Sequence, residues 1–296
     1  MNRASRVSVV AALCWAVGAG LVGCAEAGGQ ANPSSAMVEP ASSAEAPQTE
    51  VIDVDGRSVN VACSGAAVEG EPVIVLLHGG GDDLTAMAAL QQALSAERRV
   101  CAYDRLGAGA SDQPEGPQDY DAIGVTLAGV LDHVAGDGPV VLAGHSMGGL
   151  IAARYAPDDE RVRGLVLLDA TSPTAITDLG NRIPESATGP AGDLRAQTLA
   201  VFAGENPEQL VFTDGEVRSA GDIPVQVIQH GQQYLAEVPE YGPGLEEDWT
   251  AGQRGWLEVS SRSELSIAYG SGHYIYTDEP EVAVEAIERI TAHAAG

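Results

Sequence analysis

The residues best suited to chemistry form the motif Gly144-His145-Ser146-Met147-Gly148. A serine flanked in this way acts as a nucleophile when a sharp strand-to-helix turn exposes its hydroxyl. Such a backbone is strained, and it leaves room only for glycine two residues before and after the serine. The alternative is a glycine-rich turn with an incidental serine. An apolar run at 139–143 and a helical stretch at 147–156 surround the motif, and this context favours a nucleophile.

A second glycine-rich segment, His78-Gly79-Gly80-Gly81, follows the apolar run at 73–77. A backbone N–H in this loop, which we assign to Gly80, would stabilise an oxyanion together with the N–H of Met147. We interpret His78 as holding the loop rather than acting as a base. A phosphate-binding loop is excluded because no Lys-Ser/Thr pair follows the glycines.

A nucleophilic serine needs a general base, and the chain has six histidines. We predict that His273 is the base, because it lies on the short segment Gly270-Ser271-Gly272-His273 after the last predicted strand. His230, at the end of another predicted strand, is its main rival. The other histidines are not expected to reach the serine hydroxyl: His78, His133, His145 and His293.

The elements that must position these residues alternate between strands and helices. Short β-branched or apolar runs predict strands at 50–54, 57–62, 73–77, 99–103, 139–143, 164–169, 223–229 and 264–269. Several runs are continuously apolar, which is typical of strands buried on both faces of a parallel sheet. The first two are more polar and join at a tight Asp55-Gly56 turn, which indicates an antiparallel hairpin. We therefore predict an α/β protein with a doubly wound, mostly parallel, eight-stranded sheet.

The segment 171–222 interrupts this alternation. It is rich in Pro, Gly, Asp and Thr, and weak helical patterns occur only near 193–203 and 206–212. About 50 residues are too many for an ordinary connection between strands. Since loops at the carboxyl ends of parallel strands cover the ligand crevice, we predict a small lid here.

The composition excludes one class of partner. Lys and Arg total 15 whereas Asp and Glu total 42, so the formal charge is −27, and such a surface repels nucleic-acid phosphates. We interpret the charge as an aid to solubility; guidance of cationic substrates is the weaker alternative. No Cys/His spacing predicts a metal site, and we expect neither a metal nor a cofactor.

The N-terminus has the features of an export signal. Arg3 and Arg6 precede an apolar run that ends Leu21-Val22-Gly23-Cys24, which resembles a bacterial lipobox. We expect a signal peptide over 1–23, lipidation of Cys24, a flexible tether over 24–50 and a catalytic domain over 51–296. The protein would then be exported and bound to the outer face of the cell membrane only through its lipid. The alternative is a plain signal peptide cleaved a few residues later.

Export places the remaining cysteines in an oxidising environment. Cys14 leaves with the signal and Cys24 takes the lipid, so Cys63 and Cys101 are the only pair left. We expect them to form a disulfide. Two buried free thiols are the alternative.

Taken together, the motifs resemble those of the α/β-hydrolase family. The resemblance adds Tyr103-Asp104-Arg105-Leu106-Gly107-Ala108-Gly109-Ala110-Ser111 and an acidic-Pro helix start after His273. The resemblance covers about residues 50–296. Within the family, the chain most resembles the branch of lid-bearing esterases and of peroxidase-like and dehalogenase-like members. The family's strand order makes the strands of Cys63 and Cys101 neighbours. Dehalogenase chemistry needs a carboxylate nucleophile, and Ser146 argues against it.

The chain departs from the family at the third member of the catalytic triad. In most members the acid follows the second-last strand, but here 223–229 leads into His230 without an acid. Some members carry the acid one strand earlier, where this chain has Asp169. The resemblance therefore implies Asp169 as the triad acid, with Asp248, Glu247 and Asp214 as alternatives.

The function implied is two-step acyl transfer through an acyl-enzyme on Ser146. The expected substrates are carboxylic esters of small or medium size. An amidase or aminopeptidase of the same fold is one alternative. A degenerate, non-catalytic surface protein that binds a ligand is another.

Overall fold

The computed structural model describes residues 47–295. Its centre is one eight-stranded sheet in the order β1-β2-β4-β3-β5-β6-β7-β8. The strands are β1 Gln48–Val54, β2 Arg57–Ser64, β3 Val73–Leu77, β4 Val100–Tyr103, β5 Val140–His145, β6 Val162–Leu168, β7 Pro224–His230 and β8 Arg262–Ala268. β2 runs antiparallel to β1 and β4, and the other adjacent strands are parallel. The predicted sheet is confirmed, with strand ends shifted by one or two residues.

Helices cover both faces of the sheet. They are α1 Ala88–Leu94, α2 Tyr120–Ala135, α3 Met147–Tyr155, α4 Ala175–Arg182, α5 Gly189–Phe202, α6 Gly242–Gly255, α7 Ile275–Asp278 and α8 Pro280–Ala294. Short 3₁₀ turns lie at Leu84–Met87, Ala156–Asp158, Tyr234–Glu237 and Trp256–Val259. The apolar side chains of α2 and α3 pack on one face of the sheet and those of α1 and α8 on the other. No helix in the described range is long and apolar enough to cross a membrane.

The parallel strands β5 to β8 set the position of the functional residues. Ser146 follows β5, Asp169 follows β6, His230 ends β7 and His273 lies in the loop after β8. In the registers of these strands, His145 pairs with Leu168, and His230 pairs with Ala268. Since parallel strands end at one edge, the four positions share one edge of the sheet.

The long insertion between β6 and β7 contains two helices. Helix α4 was not anticipated, α5 covers the predicted 193–203, and residues 206–212 form bridges to 118 and 203 rather than a helix. The insertion packs on α6 through a small separate core: Leu179, Ile183, Ala191, Leu235, Val238, Leu245 and Trp249. This core places α4 above the carboxyl edge of the sheet.

The two cysteines of the described residues face each other on adjacent strands. Cys63 of β2 pairs directly with Cys101 of β4, and the two Sγ atoms lie at disulfide distance, 2.05 Å apart. The predicted signal peptide, Cys24 and most of the predicted tether lie outside the described residues.

Candidate active site

Ser146 sits on a sharp turn between β5 and α3. Its φ of 51° lies in the left-handed region that side chains other than glycine seldom adopt. The backbone is held there because Ser146 N donates to Leu168 O at 3.0 Å and Ser146 O accepts from Thr171 N at 3.0 Å. The turn directs the first amides of α3 toward the space beside the serine, where they can stabilise negative charge.

The two glycines of the motif are required by close packing. A Cβ at Gly144 would collide with the carbonyl oxygen of Gly148, and a Cβ at Gly148 would collide with that of Leu77. Both collisions involve backbone atoms, which cannot move aside without shifting a strand or a helix. The strained turn therefore depends on glycine at both positions.

The loop that carries Gly80 is fixed by a buried cation. Arg105 donates to the carbonyl oxygens of His78 (2.7 Å) and Gly79 (2.8 Å) and is ion-paired with the buried Glu208. His78 Nδ1 donates to Gly79 O at 2.8 Å. Burial, with Arg105 nearby, lowers the pKa of His78 well below its usual value. His78 is thus a neutral part of the loop scaffold, and the Arg105–Glu208 pair that supports it was not identified from sequence.

His273 contacts a carboxylate at the end of the neighbouring strands. Its Nδ1 lies 2.7 Å from Asp169 Oδ2. The loop around it is held in turn by Asp278, which accepts from Gly272 N at 2.9 Å, and by Glu279, which accepts from Gly270 N at 2.8 Å. The acidic residues before α8 therefore position the histidine loop.

Asp169 is fully buried and has φ 45°. Its Oδ1 accepts from Trp249 Nε1 at 2.8 Å and from His230 N at 3.1 Å. Burial alone would raise the pKa of Asp169, but the hydrogen bonds and charges of His230 and His273 hold that pKa well below its usual range. Asp169 is consequently an ionised carboxylate at neutral pH.

The neighbouring His145 faces away from the serine hydroxyl. Its Nε2 donates to His273 O at 3.0 Å. Burial, followed by the proximity of His273, lowers the pKa of His145 to about 3. His145 is therefore a neutral ring that helps to hold the His273 backbone.

The rival histidine, His230, also contacts Asp169. Its Nδ1 lies 2.9 Å from Asp169 Oδ1 and Oδ2, and its Nε2 lies 2.8 Å from Glu246 Oε2. Both ring nitrogens are thus used by buried carboxylates, so this ring has no nitrogen left to serve as a base. Glu246 and Trp249 were not singled out from the sequence, where nothing distinguishes them from other residues of α6.

The alternative acids have other partners. Asp248 forms two hydrogen bonds of 2.7 Å with Arg182, and the exposed Glu247 lies 3.7 Å from the same guanidinium. Asp214 accepts from Ile176 N and Thr177 N at the start of α4. Asp169 is the one of the four that the structure places against His273.

An apolar pocket opens at Ser146. Its walls come from α3, from the insertion helices α4 and α5, and from α6 with the turn before it. The main lining side chains are Met147, Ala175, Leu179, Val201, Phe202, Leu235, Leu245 and Trp249. Polar side chains also reach it, namely Thr171, Ser172, Asp178, Thr198 and Asp248. The pocket suits an apolar group attached to a carbonyl at the serine.

The sequence has relatives among characterised proteins. Over 269 residues it is 33% identical to the (lyso)-N-acylphosphatidylethanolamine lipase of Homo sapiens, covering 73% of this chain and 78% of that one. It is 37% identical over 131 residues to the dihydrolipoyllysine-residue acetyltransferase component of the acetoin cleaving system of Pseudomonas putida. The second alignment covers 43% of this chain and only 34% of the relative's length.

The fold and a family profile agree with these relatives. A hydrolase from Pseudomonas aeruginosa PA01 superposes with a TM-score of 0.58 at 21% identity, over 82% of this chain and 97% of that one; this similarity shows the fold. Residues 72–252 match the profile of the alpha/beta hydrolase fold. The chain belongs to the α/β-hydrolase family.

Proposed function

We propose that the protein is a serine hydrolase in which Ser146 is the nucleophile, His273 the general base and Asp169 the triad acid. The main observation behind the proposal is the strained turn at Ser146, which opens into an apolar pocket. The turn lies on the same edge of the sheet as the hydrogen bond between Asp169 and His273. A serine held in a costly backbone conformation beside a pocket is typical of a functional residue.

The reaction follows from the roles of these groups. His273 Nε2 takes the proton of Ser146 Oγ while Oγ forms a bond to the substrate carbonyl carbon. The amides of Gly80 and Met147 stabilise the oxyanion. The carbonyl reforms as the leaving group departs with the proton from His273. Water then attacks the acyl-enzyme in the same way, and Ser146 is restored.

Asp169 serves the base through its hydrogen bond. Because Asp169 Oδ2 is acceptor-only and lies 2.7 Å from His273 Nδ1, that nitrogen must carry the proton and Nε2 is left free to accept one. The carboxylate also stabilises the imidazolium that forms in the transition state.

The pocket supports carboxylic esters with an apolar acyl group as substrates. Leu179, Phe202 and Leu245 would contact such a chain, and burial of each methylene contributes about 0.8 kcal/mol. The lipase from Homo sapiens that resembles this chain is named for an acylated lipid, which supports an acyl substrate but does not identify it.

We further propose that the protein is exported and anchored through a lipid on Cys24, with the segment up to about residue 50 as a tether. The basic, apolar and Gly-Cys pattern of residues 1–24 supports this. The anchor would leave the hydrolase domain outside the cytoplasm.

The proposed function is tested with nitrophenyl esters of increasing acyl length and the matching anilides. We expect ester hydrolysis by the wild type and at least about a 10³-fold loss in Ser146→Ala. Leu179→Trp should lower kcat/KM for long acyl chains more than for acetate, because Leu179 lines the pocket. Faster turnover of anilides would favour an amidase, and activity unchanged in Ser146→Ala would contradict the proposal.

A further inference from the structure

A second buried histidine extends the proposed triad. The His230 ring lies between two carboxylates, with Nδ1 2.9 Å from Asp169 and Nε2 2.8 Å from Glu246. All three are nearly inaccessible to solvent: Asp169 is 0%, His230 2% and Glu246 5% exposed. The contacts continue from Glu246 through His230 and Asp169 to His273, so these four side chains form one hydrogen-bonded chain.

The hydrogen bonds determine where the protons are. Ionised carboxylates only accept hydrogen bonds, so a ring that bonds one at each nitrogen must donate from both. His230 is then an imidazolium. Glu246 Oε1 also accepts from Leu235 N (2.7 Å) and Ala236 N (3.2 Å), so three hydrogen-bond donors meet at this carboxyl group.

The other ring contacts of His230 are aromatic. The His230 ring lies 4.7 Å from the Tyr234 ring and 6.1 Å from the Trp249 ring, measured between centroids. Burial alone would lower the pKa of His230, but Asp169 and Glu246 raise it to about 9. The ring therefore stays protonated through neutral pH.

His273 has its own set of neighbours. Asp169 is its hydrogen-bonding partner, Asp82 is near enough to act on it electrostatically, and His145 is neutral. Its ring contacts are His145 at 4.6 Å, Trp249 at 5.5 Å, Tyr274 at 5.6 Å and Tyr234 at 5.8 Å. His230 is thus the nearest cation along the hydrogen-bonded chain that ends at His273.

We propose that His230 and Glu246 are positioning residues: His230, kept protonated by Glu246, fixes the Asp169 carboxylate and offsets its charge so that His273 remains a neutral base. This inference rests on the proposed function. His230 occupies the end of β7, where most members of the family carry the acid itself. In this chain the proposed acid, Asp169, follows β6 instead, and the cation His230 lies at the end of β7.

The charges explain why the cation matters. The carboxylates of Asp169 and Glu246 and the imidazolium of His230 together carry one net negative charge. The proton that His273 gains in the transition state cancels this charge. Without the charge on His230, the Asp169 carboxylate would act on His273 with no cation beside it. This would raise the pKa of His273, so that the imidazole would be protonated, and unable to accept a proton, over a wider pH range.

The test compares Glu246→Gln with wild type, using the pH dependence of kcat/KM for an ester. Glutamine keeps the shape and can donate to an unprotonated Nε2, so His230 stays in place without its charge. We expect the acidic limb of the kcat/KM profile to lie about 1 pH unit higher in the variant. At pH values above the limb, kcat/KM should stay within several-fold of wild type. His230→Gln should move the limb in the same direction. Glu247→Gln, on the next residue of α6 but 75% exposed, is the matched control and should leave the profile unchanged.

A direct measurement keeps the inference separate from the proposed function. Nitrogen-15 NMR of the labelled wild type should show His230 doubly protonated at pH 7.5, and the pKa of His273 should rise in Glu246→Gln. A neutral His230 in wild type would overturn the inference. A Glu246→Gln variant with a lower melting temperature but an unchanged pKa of His273 would overturn it as well. If wild type hydrolyses no ester but both NMR results hold, the proposed function fails while the charge relationship stands.

Discussion

Asp169 Oδ2 and His273 Nδ1 are 2.7 Å apart although the two residues are separated by 104 positions in the chain. The distance is short because β6, β7 and β8 are parallel neighbours whose carboxyl ends meet at one edge. The left-handed backbone of Asp169, with φ 45°, turns the chain immediately after β6. Trp249 and the His230 amide donate to Oδ1, whereas Oδ2 accepts from His273 and also lies 2.9 Å from His230 Nδ1.

The first prediction concerns Asp169→Asn. If Asp169 is the triad acid, kcat should fall by about 10³–10⁴-fold because the imidazole loses control of its tautomer. If it only capped a turn, stability would fall by about 1 kcal/mol and kcat would stay within several-fold. Steady-state kinetics together with circular dichroism of the folded variant distinguish the two outcomes.

Asp214→Asn is the control for this substitution. Asp214 accepts two backbone N–H groups at the start of α4, so its loss should cost about 1 kcal/mol with little change in kcat. The assignment would be wrong if kcat stayed near normal in Asp169→Asn but fell strongly in Asp214→Asn, Glu247→Gln or Asp248→Asn. The residue whose variant loses kcat would then be the triad acid.

The sheet could be predicted from sequence because its strands carry strong local signals. The run Val73-Ile74-Val75-Leu76-Leu77 is apolar and begins with three β-branched residues, and all five residues are buried. The glycines at 144 and 148 likewise predict a tight turn, in which neither position has room for a side chain. The strand and the motif are both patterns of residues close together in the chain, so a single sequence contains them.

Other features depend on distant contacts and could not be predicted. Helix α4 is a short, polar segment, and its Leu179, together with Ile183 just after the helix, packs against residues more than 50 positions away. Glu246 is one of several acidic residues in α6, and only the folded chain shows that it bonds His230. His230 is a rival base in the sequence because it ends a predicted strand, and the sequence does not show the two carboxylates that bond its ring.

A second prediction follows from the charge on His230. Its pKa is raised to about 9 in the folded protein from an ordinary value near 6.5. A raised pKa gives stability that is complete below about pH 6.5 and is lost as the pH rises toward 9. The free energy of unfolding should therefore decrease over this range by up to about 1.4 kcal/mol per pH unit, as measured by urea denaturation.

The matching variant should remove this dependence. In His230→Gln the slope between pH 6.5 and 9 should be flatter than in wild type, because the variant lacks the titrating group. Identical slopes in the two proteins would show that the buried ring does not take up a proton on folding.

The third prediction is that Cys63 and Cys101 are bonded in the protein purified without reductant. The loop they close spans 38 residues, for which chain entropy gives roughly 4 kcal/mol of stabilisation, with smaller values common. Intact mass with and without reductant should differ by the mass of two hydrogen atoms. Two thiols that can be alkylated in the unreduced, denatured protein would contradict the pairing.

The fourth prediction concerns Cys24, which lies outside the described residues. Cys24→Ala should release the protein from the membrane fraction, or leave it unprocessed, with kcat of the folded domain unchanged. The reason is that residues 25–50 are rich in Ala, Ser, Pro and Gly, a composition that predicts a tether rather than part of a packed core. A variant that fractionates with membranes as wild type does would refute the lipid anchor.

The most direct test of the central claim is covalent labelling with a fluorophosphonate probe, which reacts with an activated serine. The folded wild type should take up one probe per chain, and peptide mass mapping should place it on Ser146. Ser146→Ala should remain unlabelled, and His273→Ala should label much more slowly because the base is missing. Absence of labelling in folded wild type, or a label on another residue, would contradict the assignment of Ser146 as the nucleophile.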